Sequence, residues 1–224
     1  MKDDITEFNR RISVLRESLP GVDVFEQVLT DTGDHPENFV DFECAFAAEH
    51  LRQFNPRKIL DIGSYRHFIL GLLAHYDVTT VDVRPRRARI SSETVITCDA
   101  KSLPLGDSSV DAVVSLCAME HFGLGRYGDP FDPHADTLSL REMIRVLRPG
   151  GVCLLTTTIT RGKPSVAFNA HRIYTLEWVY ELTRGLTPAD ERFYSHRYNR
   201  ECSYDEVMDI PRLWDVYCGC FKKE

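Results

Sequence analysis

Most of the features that mark a membrane, secreted or nucleic-acid-binding chain are missing from this sequence. No run is long and apolar enough to cross a bilayer as a helix, so membrane insertion is not expected. The opening MKDDITEFNR is acidic and has no apolar centre, so it does not read as a secretory signal. Positive charge is in deficit: 27 Lys and Arg against 34 Asp and Glu leave a formal charge of −7. That balance disfavours nucleic acid and anionic membranes as main partners. The seven cysteines, at 44, 98, 117, 153, 202, 218 and 220, are odd in number and show no metal-ligand spacing. Cys218 and Cys220 would share one face of a strand, which is poor geometry for bridging each other. A reduced, cytoplasmic protein is expected. There is no internal repeat and no Gly/Ser linker, and no G-x-G-x-x-G follows the first strand, which argues against an NAD-linked oxidoreductase.

With 43% hydrophobic and 27% charged residues in 224, the chain suits one globular unit with a real core. Ile5, Phe8, Ile12, Leu15 and Leu19 form a helical stripe that ends at Pro20-Gly21. Asn38 is a plausible N-cap for a second helix presenting Phe39, Phe42 and Phe46. Residues 1–55 are therefore read as a helical extension packing on a main domain of residues 56–224. In that domain short apolar runs at 58–62, 78–83, 94–98, 111–116 and 152–158 alternate with helical segments at 66–75 and around Leu140–Leu147. Near-continuous apolar strands between helices predict a doubly wound α/β fold, a mostly parallel Rossmann-like sheet covered on both faces. Thr175 is placed to cap a helix from Leu176 to Arg184 closed by Gly185, and WDVYCGCF reads as a final antiparallel strand.

In such sheets ligands bind beyond the carboxyl ends of the strands. Four strand ends carry chemistry here. The first is Asp61-Ile62-Gly63-Ser64, a sharp turn into a helix N-terminus. Asp82 ends the second strand, where a carboxylate can accept from ribose hydroxyls. Asp99 ends the third, where it can accept from an adenine amino group. His121 follows the fourth. Each aspartate alone could simply cap its own turn, but three in consecutive βα units point to a ligand. The RPRRAR run at 84–89 holds four arginines in six positions and reads as a solvated loop or, more sharply, an anion-contacting one.

ILDIGS, VTTVDV, CDAKSLPLGDSSVDAVVSL and REMIRVLRPGGVCLL resemble the successive motifs of class I S-adenosylmethionine-dependent methyltransferases. The resemblance implies that Asp61, Gly63, Ser64 and Tyr65 border the methionine part of S-adenosylmethionine, that Asp82 binds ribose, and that Asp99 with Ala100 faces adenine. The departure is at 65 and 67, where the family pattern has glycine and this chain has Tyr65 and His67; these side chains are expected either to touch the cofactor or to occupy its place. IGSYRHFILGLLAHY, GLGRYGDPFDPHAD and FNAHRIY also resemble a methyltransferase-like family found among bacterial glycan-biosynthesis genes. In that family the Ser-Tyr-Arg turn is the usual form.

Two further segments supply a substrate side: Arg126, Tyr127, Asp129, Asp132, His134 and Asp136 after the fourth strand, and Asn169, His171, Arg172 and Tyr174 after the fifth. Arg126, Tyr127, Asn169 and Arg172 are the expected substrate contacts, with the arginines suited to a phosphate or carboxylate. His121 and His171 titrate near neutrality and are the candidate bases. Asp136 could equally be a helix-cap residue, and the DPHAD spacing matches no specific metal motif, so no metal is expected. The expected activity is methyl transfer from S-adenosylmethionine to oxygen or nitrogen of a small-molecule or glycan-precursor acceptor. The alternative is a non-catalytic Rossmann-like module, with a degenerate cofactor site, that assists a partner enzyme.

Overall fold

The computed structural model describes residues 2–26 and 37–224, in two compact units. The first, Met1–Pro36, contains helix α1, Lys2–Ser18, which stops just ahead of Pro20 and a left-handed Gly21. The side chain of Ile5 and residues 27–36 lie outside the described part.

The second unit, Glu37–Glu224, holds the rest. It begins ahead of α2, Phe39–Phe54. Asn38 caps it: its Oδ1 accepts from the Val40 N–H at 2.8 Å, and Asp41 accepts from the Asn38 N–H at 3.2 Å. That reciprocal pair satisfies two donors that the first helical turn leaves unpaired.

An eight-stranded sheet follows, formed by β1 (Lys58–Ile62), β2 (Asp77–Asp82), β3 (Glu93–Thr97), β4 (Val110–Leu116), β5 (Leu147–Ile159), β8 (Thr187–Ser195), β9 (Arg200–Cys202) and β10 (Asp215–Lys222). Its order is β3-β2-β1-β4-β5-β10-β8-β9. The first five strands run parallel; β10 inserts antiparallel between β5 and β8. A separate hairpin, β6 (Ser165–Ala167) and β7 (His171–Ile173), stands off the end of β5. The helices are α3 (Arg66–Leu72), α4 (Ala135–Val146) and α5 (Leu176–Leu182).

Alternation along the strands divides the core in two, because successive strand side chains point to opposite faces. Leu60, Ile62, Val113, Cys153 and Leu155 meet α4 and α5 through Leu140, Met143 and Val179. Ile59, Ala112, Val114, Val152 and Leu154 meet α2 and α3 through Phe46, Leu51 and Ile69. Burying each such side chain contributes roughly 1.5–3 kcal/mol. The doubly wound sheet expected from the sequence is therefore present. Order reverses between β1 and β4, which puts the switch point at their carboxyl ends. The hairpin β6–β7 and strand β9 were not expected from the sequence, α3 stops at Leu72, and two further elements differ. α5 ends at Leu182, where the Thr183 hydroxyl donates to the Val179 carbonyl at 2.9 Å. TPADERFYS forms strand β8, although only Phe193, Tyr194 and Ser195 are buried and the polar first half hides the pattern.

Candidate functional site

At the end of β1 the chain turns on Gly63, whose φ of +72° is left-handed. A Cβ there would lie 2.9 Å from the Ala118 Cβ, so no larger residue fits the turn as built. Asp61 accepts from the Ser64 N–H at 3.2 Å, and the Ser64 hydroxyl accepts from the Leu116 N–H at 3.0 Å, tying the turn to β4. Burial pushes the Asp61 carboxyl up to about 7, against the pull of its bonds to Ser64.

Tyr65 resolves the missing glycine. Its φ of −59° needs no glycine, and its side chain turns away from the cofactor side toward α2. The phenol donates to Glu43 Oε2 at 2.9 Å, and the ring packs in the core on the α2 face. His67 is exposed on α3. Neither side chain lines the cleft beside the turn, so the expectation that both contact or block a cofactor there is not met; Tyr65 anchors the turn from behind.

That cleft lies beyond the carboxyl ends of β1 to β4. One side carries Gly63, Asp82, Asp99 and the small, buried Ala100; the other carries Cys117, His121 and Tyr127. Asp61 and Ser64 line an adjoining hollow that shares Gly63 and Asp82. Asp82 accepts from the Arg84 N–H and Nε at 2.9 Å each, and from Nη2 at 2.7 Å. Burial alone would raise its pKa, but these bonds outweigh it and hold the carboxylate below the usual range. The same guanidinium lies 4.5 Å from the centre of the Tyr127 ring, spanning the cleft entrance by a cation–π contact. Asp99 accepts from the Lys101 N–H at 3.0 Å, while Lys101 Nζ pairs with Asp132 at 2.8 Å. Arg86 is also used internally, with Arg66, on the buried Glu93, whose carboxyl these two hold near 2 against the opposing effect of burial. Half of the RPRRAR charge is thus committed within the protein.

Across the cleft Cys117 takes a φ of +44°, an uncommon conformation for a residue with a Cβ, and donates through Sγ to Glu43 Oε1 at 2.6 Å. Behind it Glu120 is buried and accepts from the Thr157 hydroxyl at 3.1 Å; burial lifts its pKa to about 8, and raises Glu43 as well. Glu43 and Glu120 were absent from the sequence-based site. Their signal was faint: Glu43 sits on the Phe39–Phe46 face of α2, where a carboxylate is out of place.

His121 lines the cleft with its Nδ1 2.5 Å from the Ala170 carbonyl. Arg126 Nη1, which only donates, lies 3.2 Å from the same Nδ1, and Nε2 stands 3.8 Å from Glu120 Oε1. Burial pushes the imidazole down to about 4, so it is neutral at pH 7. The His171 ring stands 6.3 Å from it and 5.7 Å from Trp214, outside the cleft lining. Arg126 is exposed on the loop after β4 and donates to the Ala170 carbonyl at 3.3 Å. Asn169 is also exposed and supplies the left-handed residue, φ +57°, of the β6–β7 turn.

Arg172 departs from its expected contact with substrate. It is 2% exposed, pairs with Asp136 at 3.3 Å, and donates to the carbonyls of Phe122 at 2.6 Å and Pro133 at 3.2 Å. Tyr174 donates to the same Asp136 at 3.1 Å. Asp136 also accepts from the Thr137 N–H in the first turn of α4 at 2.8 Å, and it is the centre of a buried lock between β7 and the loop before α4. The DPHAD side chains diverge accordingly, and no group of three His, Cys, Asp or Glu among the described residues is arranged to hold a metal.

The fold is an α/β, Rossmann-like one, and solved structures of methyltransferases share it. Burkholderia thailandensis 1,6-didemethyltoxoflavin-N1-methyltransferase, solved with 1,6-didemethyltoxoflavin and S-adenosylhomocysteine, matches 98% of this chain and 87% of its own with a TM-score of 0.62 at 17% identity. The cyclase SpnF matches 98% and 94%, TM-score 0.62, at 17% identity. Geranyl diphosphate C-methyltransferase from Streptomyces coelicolor A3(2), in complex with Mg2+, geranyl diphosphate and S-adenosyl-L-homocysteine, matches 80% and 77%, TM-score 0.58, at 14% identity. At such identities the likeness is one of fold. Within that class, residues 75–186 match the family described as Caenorhabditis protein of unknown function, DUF268, and the chain belongs to it. A search of curated proteins gave no significant match.

Proposed function

We propose that the protein is an S-adenosylmethionine-dependent methyltransferase acting on oxygen or nitrogen of a small-molecule or glycan-precursor acceptor. The observation that carries this reading is the placement of Asp61, Asp82 and Asp99, from three consecutive strand ends, on two adjoining hollows that share Asp82 and a left-handed Gly63. The donor set fits the cofactor: Asp82 for the ribose hydroxyls, Asp99 with the small Ala100 for the adenine, and the Asp61–Ser64 turn for the methionine end. Tyr65, held on Glu43, leaves that space clear, which weighs against the non-catalytic alternative. When bound, S-adenosylmethionine supplies an electrophilic methyl carbon. The chain's own contribution is positioning, plus a neutral His121 whose imidazole can take a proton from the acceptor. His171 and Arg126 support that role from the acceptor side. The seven free thiols fit a reducing compartment, the cytoplasm. Because the same fold also carries a cyclase, binding must be measured rather than assumed. Calorimetry with S-adenosylhomocysteine should show one site. Asp82→Ala should weaken it at least tenfold, the loss of hydrogen bonds to a charged group worth about 1.5–3 kcal/mol. No heat from either S-adenosylhomocysteine or S-adenosylmethionine with the wild-type chain would sink this reading.

A further inference from the structure

Two loops frame the side of the cleft away from the cofactor aspartates: residues 122–134 after β4, and the β6–β7 turn. They are firmly joined. Arg172 bonds the carbonyls of Phe122 and Pro133, and the Ala170 carbonyl receives both His121 and Arg126. On these anchored loops two phenylalanines stand in solvent, Phe131 at 68% exposure and Phe168 at 79%. Their ring centres are 6.5 Å apart, so the two loops meet through the exposed pair itself. Neither residue contributes to the two cores. Exposed rings on joined loops, one of which lines the cleft through Tyr127 and Asp129, mark a binding surface rather than a packing defect.

A cation is fastened to the same frame, Arg126, whose Nη1 lies 3.3 Å from the Ala170 carbonyl and 3.2 Å from His121 Nδ1. Arg84, Arg86, Arg145, Arg148 and Arg172 each pair with a carboxylate, whereas Arg126 has none within ion-pair distance among the described residues. Its guanidinium lies 5.3 Å from the centre of the Tyr127 ring, and Tyr127 lines the cleft. A planar guanidinium without an acid partner suits a carboxylate or phosphate, which it can grip with two parallel bonds. The patch is a handful of side chains, far short of the roughly 800 Å² per partner that a stable protein interface buries. Its occupant is therefore small.

We propose that the acceptor is an aromatic acid, its ring laid on Phe131 and Phe168, its anionic group on Arg126, and its reacting heteroatom directed toward His121. This narrows the acceptor of the methyltransferase reading and rests on it. The rings carry no polar tip to meet hydroxyls, so an aromatic ring fits them better than a sugar face.

The test is saturation-transfer NMR and calorimetry on the full chain, with and without S-adenosylhomocysteine. The probes are 4-hydroxybenzoate, phenyl phosphate, phenol and glucuronate, each taken to millimolar concentration. Binding of 4-hydroxybenzoate or phenyl phosphate is expected, and whichever is tighter identifies the anion. Phe131→Ala/Phe168→Ala should weaken it at least fivefold. Arg126→Gln should weaken the acids at least fivefold while leaving phenol within twofold. S-Adenosylhomocysteine binding should be unchanged in both variants, which also shows that they fold. Failure of both aromatic acids to bind, equal binding by the variants, or a preference for glucuronate overturns the proposal. So does binding of the chain to anionic phosphatidylglycerol vesicles that is lost in the double phenylalanine variant, since the rings would then face lipid. If S-adenosylhomocysteine fails to bind while the aromatic acids bind as described, the cofactor reading falls and this subsite stands.

Discussion

Arg84 is the residue on which cofactor and acceptor sides meet. It takes both oxygens of Asp82, the carboxylate suited to ribose, and its guanidinium rests on Tyr127 across the entrance. A ligand that uses Asp82 must share it with this cation or displace it. Arg84→Ala should therefore tighten S-adenosylhomocysteine several-fold by calorimetry, because the carboxylate is freed while its own charge remains. Weakened binding would show instead that Arg84 itself contacts the ligand. Tyr65 shows what could and could not be read at this scale. Its identity in a glycine position was plain in the sequence, but the direction of its side chain depended on Glu43, which lies 22 positions earlier on α2.

At the scale of elements, the loop before α4 is held by charge rather than by apolar packing. Arg172 on β7, Asp136 in the first turn of α4 and Tyr174 form a buried triad, with the guanidinium also fastening two loop carbonyls. Removing one member of such a pair leaves the other charged and unsolvated. Arg172→Met is expected to cost about 3–5 kcal/mol of stability, read from urea midpoints. A change below about 1 kcal/mol would mean that Asp136 finds water or takes a proton without penalty. β8 belongs to this scale too. Residues 187–189 are exposed, Asp190, Glu191 and Arg192 are half-buried, and Phe193, Tyr194 and Ser195 are all buried, so no alternation betrays a strand; pairing with β10 makes it one.

For the whole molecule, buried acids set the response to pH. Asp61 is raised to about 7, Glu120 to about 8, and Glu43 is raised as well, each chiefly by burial. The folded protein therefore keeps protons that the unfolded chain has released. Their contribution is full at acid pH and is lost as pH rises through the folded values. His121, depressed to about 4, and His171, also lowered, act oppositely, but their contribution is complete once pH passes about 6.5. Between pH 6.5 and 8.5 the carboxyls dominate, and stability should fall by up to about 1.4 kcal/mol per pH unit for each proton. Glu120→Gln, which cannot ionise, should flatten that decline in denaturant midpoints. An unchanged slope would exclude Glu120 as its source.

The sequence by itself determined the strand order of chemistry: apolar runs for the parallel strands, helix caps at Asn38 and Thr175, and an aspartate at each of three strand ends. These are local matters, set by period, capping and the turn that follows each strand. Tertiary structure alone decided which side chains face the cleft. It turned Tyr65 toward Glu43, buried Arg172 on Asp136, brought Arg84 across to Tyr127, and set Phe131 beside Phe168. Each of these pairings joins elements distant in the chain or reverses a side chain's direction, and a local pattern carries neither. What remains open to solvent around His121 follows from how the buried charges were satisfied first.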